Sequence, residues 1–462
     1  MAIGLKSIKR MVGSGDSFSN IIKLWIPETI SQFIYIILPP LFDSYVVASL
    51  RSTSMYGALG TANNFLHVLL KFAEAIPIAS VAIIGRHNGA KKYDECGKDL
   101  GDSFWVSTLI GLMQFGLIFS AAASIYRMLG VPEEMVVIGT PFLRLRAFGI
   151  LLAFISLALV YFLRGIKNTK APMAIFFVGV CSFIFFDYAL VLGKFGFPRL
   201  GLYGSAIAAI IQYSIVIVLA IWYLLSNKDY KKYFSHLFFW NFRPGRMLHL
   251  LNMSWKIMID KTALSMSYVW LFKMITPMGA FAITSFDVIK NLERFALLPA
   301  VAFAQIITFL VSNRLGAEDP DGAKSNIKKV LIVSSIATGS FLLFFCIKAK
   351  YLISFFDPNN QFTHIAAPAF VLVSTLVVFD FIQLILAGAL RGAGDVKTVM
   401  YTRFFCCVFF FTPLAYFIAK LPIESVSLKF ALIYGTFYIN TGLIGFFFMR
   451  RIMGSAWQRI KV

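Results

Sequence analysis

Three carboxylates sit inside long apolar runs of this chain: Asp43 in "PPLFDSYVV", Asp187 in "FIFFDYALVLG" and Asp380 in "FDFIQLILAGALRGAGDVKT". A charge at the centre of a bilayer costs on the order of 3 kcal/mol on insertion scales, so each acid needs a compensating role. The residues alone leave two roles open. One is a polar contact between helices. The other is a site that takes up a cation or proton from water. Asp187 lies near the outer end of its apolar run and also fits an interfacial position. Gln383, three residues after Asp380, shares nearly the same helical face and offers a carbonyl oxygen, a ligand type that hard cations prefer. The chemistry these residues suggest is ion binding.

Charges of both signs occur in other apolar segments. Lys71 and Glu74 are three apart, as are Lys290 and Glu293, and as are Asp287 and Lys290; Asp260 adjoins Lys261. A spacing of three puts partners on one helical face, where they can neutralise each other. A structural ion-pair network and the lining of a substrate cavity are both compatible with that pattern. Buried lysines also leave room for a zwitterionic or anionic substrate. Nothing points to covalent catalysis or to a cofactor. There is no phosphate-binding glycine loop ending in Lys-Ser/Thr. His67, His87, His236, His249 and His364 form no triad or metal-ligand cluster, and the five cysteines lack metal-ligand spacing. The only metal these residues suggest is a coupling Na+.

The elements that position these residues follow from composition. The chain has 462 residues, 59% hydrophobic and 14% charged, with a mean hydropathy of +0.77. A soluble domain cannot hide that much apolar surface, so part of the solvent is lipid. Backbone must be satisfied internally in lipid, which predicts helices. Twelve apolar segments have spanning length, which predicts an all-α polytopic membrane protein. The net charge of +21 is topological. Lys and Arg crowd alternate connections, from Lys6, Lys9 and Arg10 to Arg450, Arg451, Arg459 and Lys461. The positive-inside rule then places both termini in the cytoplasm. Nucleic acid is not an expected partner. Residues 1–19 lack the apolar core and cleavage site of a signal peptide.

The chain also repeats itself. Arg164 and Arg391 are 227 positions apart, as are Lys170 and Lys397, and Met173 and Met400. "RHNGAKKYD" (86–94) and "NRLGAEDPD" (313–321) share Gly-Ala at the same offset. This predicts a duplicated six-helix half, with both halves entering the membrane from the same side, as in parallel-repeat transporters. The expected organisation is a cytoplasmic segment 1–20, a lobe 21–225, a cytoplasmic linker 226–246, a second lobe 247–450 and a cytoplasmic tail 451–462. Prolines 27, 39, 40, 77, 277 and 299 predict bends. In the Arg-Gly loops, glycine is expected to make the turn, with Arg and Lys anchoring the helix end at the headgroups.

With "ALRGAGDVKT" (389–398), "FLRGIKNTKAPM" (162–173), "FPRLGLYGSAIAAIIQY" (197–213) and the Gly-Ala loops, the sequence resembles the multidrug and toxic compound extrusion (MATE) transporters over nearly its whole length. The resemblance implies two helical lobes around a central cavity and export driven by inward flow of Na+ or H+. It implies ion-site roles for Asp43 in the first helix, Asp187 in the fifth, and Asp380 with Gln383 in the tenth. Phe183 stands where the family has Asn, and Ala209 where it often has Thr. The seventh-helix Glu is absent, with Asp260 about one turn away. The expected function is therefore a cation-coupled antiporter of the cell membrane, acting as a monomer on small organic, cationic or amphipathic compounds. A related flippase or metabolite exchanger for a zwitterionic or anionic substrate is the alternative.

Overall fold

The computed structural model describes residues 15–234, 243–357 and 361–460. Lys6, Lys9, Arg10, Lys461 and residues 235–242 of the expected linker, His236 included, lie outside the described residues, as do the side chains of His67, Lys231 and Lys232. Among the described residues every regular element is helical: α1 Phe18–Gln32, α2 Leu38–Ala48, α3 Thr53–Gly89, α4 Tyr93–Met128, α5 Glu133–Gly165, α6 Lys170–Leu192, α7 Leu202–Ser226 and α8 Lys228–Phe234. They continue with α9 Pro244–Ile275, α10 Ala280–Ala296, α11 Leu298–Gly316, α12 Pro320–Ile347, α13 Ala349–Ser354, α14 Thr363–Gly392, α15 Val396–Phe405, α16 Thr412–Lys420 and α17 Val426–Met453. Among the described residues, eleven stretches are long and apolar enough to cross a membrane. The seventh expected span, α9, is long enough but carries Lys256, Asp260, Lys261 and Lys273. Large apolar side chains such as Trp222, Phe344 and Phe409 point outward, as a lipid-facing surface requires.

The chain divides into two compact units, residues 26–255 and residues 256–462 with 1–25. Helix α1 thus begins in the C-terminal unit, and α9 begins in the N-terminal one. The Trp25 indole stacks on Phe303 at 4.8 Å and donates to the Pro299 carbonyl.

The duplication is visible in the backbone. Lys91 and Glu318 adopt left-handed φ of 59° and 55°, and Lys167 and Gly394 φ of 62° and 84°; each pair is 227 apart. At all four helix ends the amide after the left-handed residue donates five residues back: Lys92 to His87, Asn168 to Leu163, Asp319 to Arg314 and Asp395 to Leu390. This is the Schellman closure. In the second Arg-Gly loop Gly394 makes the turn as expected and in the first Lys167 does so, whereas Gly165 and Gly392 are still helical. They allow close helix packing instead. A Cβ on Gly392 would lie 2.2 Å from the Thr308 carbonyl oxygen, and one on Gly165 would lie 2.8 Å from Ile84 Cγ2.

Prolines act in three ways. Pro27 and Pro77 stay within their helices. Pro39 and Pro40 follow a widened π turn, Phe33–Ile37. Pro299 coincides with the break at Leu297 that divides the expected single span 279–312, and Pro277 lies in the connection after α9, so these two are corrections to the expected bends. The lost amide donor releases the helix most readily where a turn is already forming.

Each unit also grips the start of one helix. In the N-terminal unit, Arg246 reaches Glu95 at 2.5 Å, Asp99, and Asp102 at 3.0 Å, and His87 Nδ1 lies 2.6 Å from Asp99. In the C-terminal unit, Asp16 accepts from Arg314 Nε at 3.2 Å and from Asn326 Nδ2 at 2.8 Å. Its amide donates to Asn326 Oδ1, and its carbonyl accepts from Lys329.

Candidate ion and substrate sites

The widened turn precedes α2, and with Pro39 and Pro40 in the first turn of α2 it sets the direction of Asp43, which is fully buried. Its Oδ2 accepts from Arg146 Nη2 of α5 at 2.8 Å, and its Oδ1 from Ser205 Oγ of α7 at 2.6 Å. Asp187 of α6 lies in the same unit and is also fully buried, yet neither carboxyl oxygen has a hydrogen-bond partner. One turn before it, Phe183 packs with Ala208 and Ala209 in a buried apolar cluster, with Ile184 and Phe186 against it. The surroundings of Asp187 thus offer little to a cation that needs several oxygen ligands.

A second buried pair in this unit was not foreseen. Glu28 of α1 meets Arg164, the arginine of the first Arg-Gly sequence, at 2.9 Å, with both side chains almost inaccessible. Gln32 donates to the same Glu28 oxygen at 2.6 Å. Arg164 therefore does not anchor a helix end at the headgroups as expected. The long end of α5 keeps it inside, where a carboxylate offsets the desolvation of its guanidinium. Lys71 and Glu74 meet at 3.5 Å and stay partly exposed.

The C-terminal unit builds a connected network. Arg391, of the second Arg-Gly sequence, also turns inward and pairs with Asp260 of α9. Asp260 takes a second guanidinium through Arg403 Nη1 of α15 at 2.7 Å, and Arg403 Nη2 donates to Gln383 Oε1 at 2.5 Å. Gln383 in turn donates from Nε2 to Asp380 Oδ1 at 2.9 Å. A guanidinium has no acceptor, so the Gln383 oxygen must face Arg403 and its amino group Asp380. The expected carbonyl ligand beside Asp380 is therefore turned away. Glu293 is buried and accepts from Tyr434 OH. Lys290 pairs with Asp287 at 3.1 Å, both well exposed, and not with Glu293.

The structure brings Asp43 and Asp187 into one unit and Asp260, Asp380, Gln383 and Glu293 into the other. Arg146, Ser205, Glu28, Arg403 and Tyr434 were missed. The arginines had a signal, since Arg146 in "FLRLRAFG" and Arg403 in "YTRFFCC" lie within apolar segments as conspicuously as the acids do. Glu28 in "WIPETI" had the same signal.

A family model described as MatE matches residues 27–189 and 257–417, one block in each half. The chain belongs to the MatE family. It is a multi-pass membrane transporter of the cation-coupled antiporter class, and not an enzyme. Among relatives of this MATE protein is a probable multidrug resistance protein NorM of Mannheimia succiniciproducens, 24% identical over 379 residues, or 81% of either chain. The multidrug resistance protein NorM of Vibrio cholerae is 21% identical, with 84% of either chain covered. The fold matches an outward-facing multidrug resistance MATE family transporter of the MOP superfamily, with a TM-score of 0.86 at 15% identity. That match covers 97% of this MATE chain and 98% of the other.

Proposed function

We propose that this MATE transporter exports small organic compounds, cationic or amphipathic, in exchange for an inward-moving cation taken up in its N-terminal lobe. The relatives named for multidrug resistance support the substrate class. The observation that carries the coupling site is Asp187, fully buried with both oxygens unpartnered. Both oxygens are open to an incoming cation, and the apolar cluster one turn away suits a proton better than Na+, which needs several oxygen ligands. Asp43, which accepts from the Arg146 guanidinium in the same unit, is the second acid of the relay.

Coupling requires the cation and the substrate to favour different states of the transporter. One charge moving down 100 mV supplies about 2.3 kcal/mol, enough for roughly fortyfold accumulation. In this reading both termini and the connection at 226–246 are cytoplasmic, in a plasma or inner membrane. Asp260, Asp287, Lys290, Glu293, Lys71 and Glu74 are the remaining candidates for the substrate path, with the partly exposed Lys71 and Lys290 favouring a zwitterionic or anionic ligand. The test is exchange in proteoliposomes under imposed H+ or Na+ gradients, with cationic, zwitterionic and anionic compounds. Export of an organic cation driven by the H+ gradient supports the reading; gradient-independent flux of every compound refutes it.

A further inference from the structure

We infer that Arg403 is a resident cation that excludes Na+ from the acid site of the C-terminal lobe. Three observations converge on it. First, the side chain is almost wholly buried and spends its two terminal nitrogens on Asp260 Oδ1 and Gln383 Oε1. Second, it consumes the Gln383 carbonyl oxygen, the ligand expected to join Asp380 in a cation site. Gln383 then presents an N–H to Asp380, and an amino group repels a metal ion where an oxygen would bind it. Third, the chain that holds Asp380 already contains two arginines. Asp260 and Asp380 face Arg391 and Arg403 through one set of hydrogen bonds. A Na+ at Asp380 would be repelled by the Arg403 charge in a buried site, where screening is weak. The remaining acid, Glu293, accepts a hydrogen bond from Tyr434. The Arg403 guanidinium also lies 6.0 Å from the centre of the Phe448 ring, which closes the site on the α17 side.

The inference rests on the transporter reading only for its importance, and its test does not use transport. Thermal unfolding of the purified protein is followed in alkaline buffer as NaCl replaces KCl at constant ionic strength. The wild type is expected to show no Na+-specific rise in Tm beyond about 1 °C, since a ligand stabilises only what it binds. Arg403→Gln removes the cation and frees the Gln383 amide to turn. It is expected to gain a saturable, Na+-specific rise that the double variant with Asp380→Asn loses. Arg403→Lys keeps a cation and is expected to gain none. A saturable Na+ response in the wild type that Asp380→Asn abolishes would overturn the inference, whether or not Arg403→Gln folds. So would a folded Arg403→Gln without any Na+ response.

Discussion

The N-terminal unit grips its helix start with acids, and the C-terminal unit grips its own with basic and amide groups, at positions 227 apart. His87, Asp99 and Asp102 surround Arg246, whereas Arg314, Asn326 and Lys329 surround Asp16. The backbone under both sockets is the same, down to the left-handed Lys91 and Glu318. Duplication preserved the turns, which depend on local hydrogen bonds, while the acids Asp99 and Asp102 of the first socket are matched by the amide Asn326 and the base Lys329 in the second. The acid sites diverged in a similar way. The N-terminal unit keeps one carboxyl, Asp187, with no partner, while each C-terminal candidate acid has at least one hydrogen-bonded partner. Shared architecture therefore does not imply shared ion chemistry.

The largest expected effect breaks this contrast at the acids. Asp187→Asn and Asp43→Asn should each abolish gradient-driven export in proteoliposomes while the protein still reaches the membrane and elutes as a single species. Normal transport by either variant would make that acid structural.

Next are the buried pairs made by the two Arg-Gly arginines. Arg164→Met strands Glu28 beside Gln32 alone and should destabilise by about 3–5 kcal/mol, the cost of an uncompensated buried charge. Arg391→Met should cost less, because Asp260 keeps Arg403. Denaturant unfolding in detergent checks the order, and equal losses would mean that Arg403 does not compensate.

The glycines give a smaller contrast. Gly392→Ala drives a methyl against the Thr308 backbone and should cost about 1–3 kcal/mol. Gly165→Ala meets Ile84 Cγ2 at 2.8 Å and Cβ at 3.1 Å, with backbone no nearer than 3.8 Å, so its loss in Tm should be smaller.

The smallest effect is expected at the sockets. Arg246→Ala and Asp16→Ala should each cost about 1–2 kcal/mol, as for a lost charge-assisted hydrogen bond. Salt should weaken the wild-type advantage at the partly exposed Arg246 more than at the buried Asp16. A salt-independent loss would point to packing, not charge.

Much of this fold was legible in the sequence. Apolar runs of spanning length admit one backbone solution in lipid, and the 227-residue offset exposed the duplication. The breaks at Leu297 and after Ile275 were harder to read, because a proline bends a helix or ends it according to tertiary support that no local pattern records. The acids Asp43, Asp187 and Asp380 were legible because a charge in an apolar run is conspicuous. Their partners were not, since Arg146 lies 103 positions from Asp43 and Arg403 lies 143 from Asp260. Spacing on one helix even suggested a wrong partner, joining Lys290 to Glu293 where the fold supplies Tyr434.

The division of labour between the lobes is tested most directly by measuring the pH dependence of export in proteoliposomes for the wild type, Asp187→Asn and Asp380→Asn side by side. The account predicts that Asp187→Asn loses the response to an imposed pH gradient, while Asp380→Asn keeps the wild-type pH profile even if its rate falls. Loss of the pH response in Asp380→Asn, with a normal response in Asp187→Asn, would contradict it.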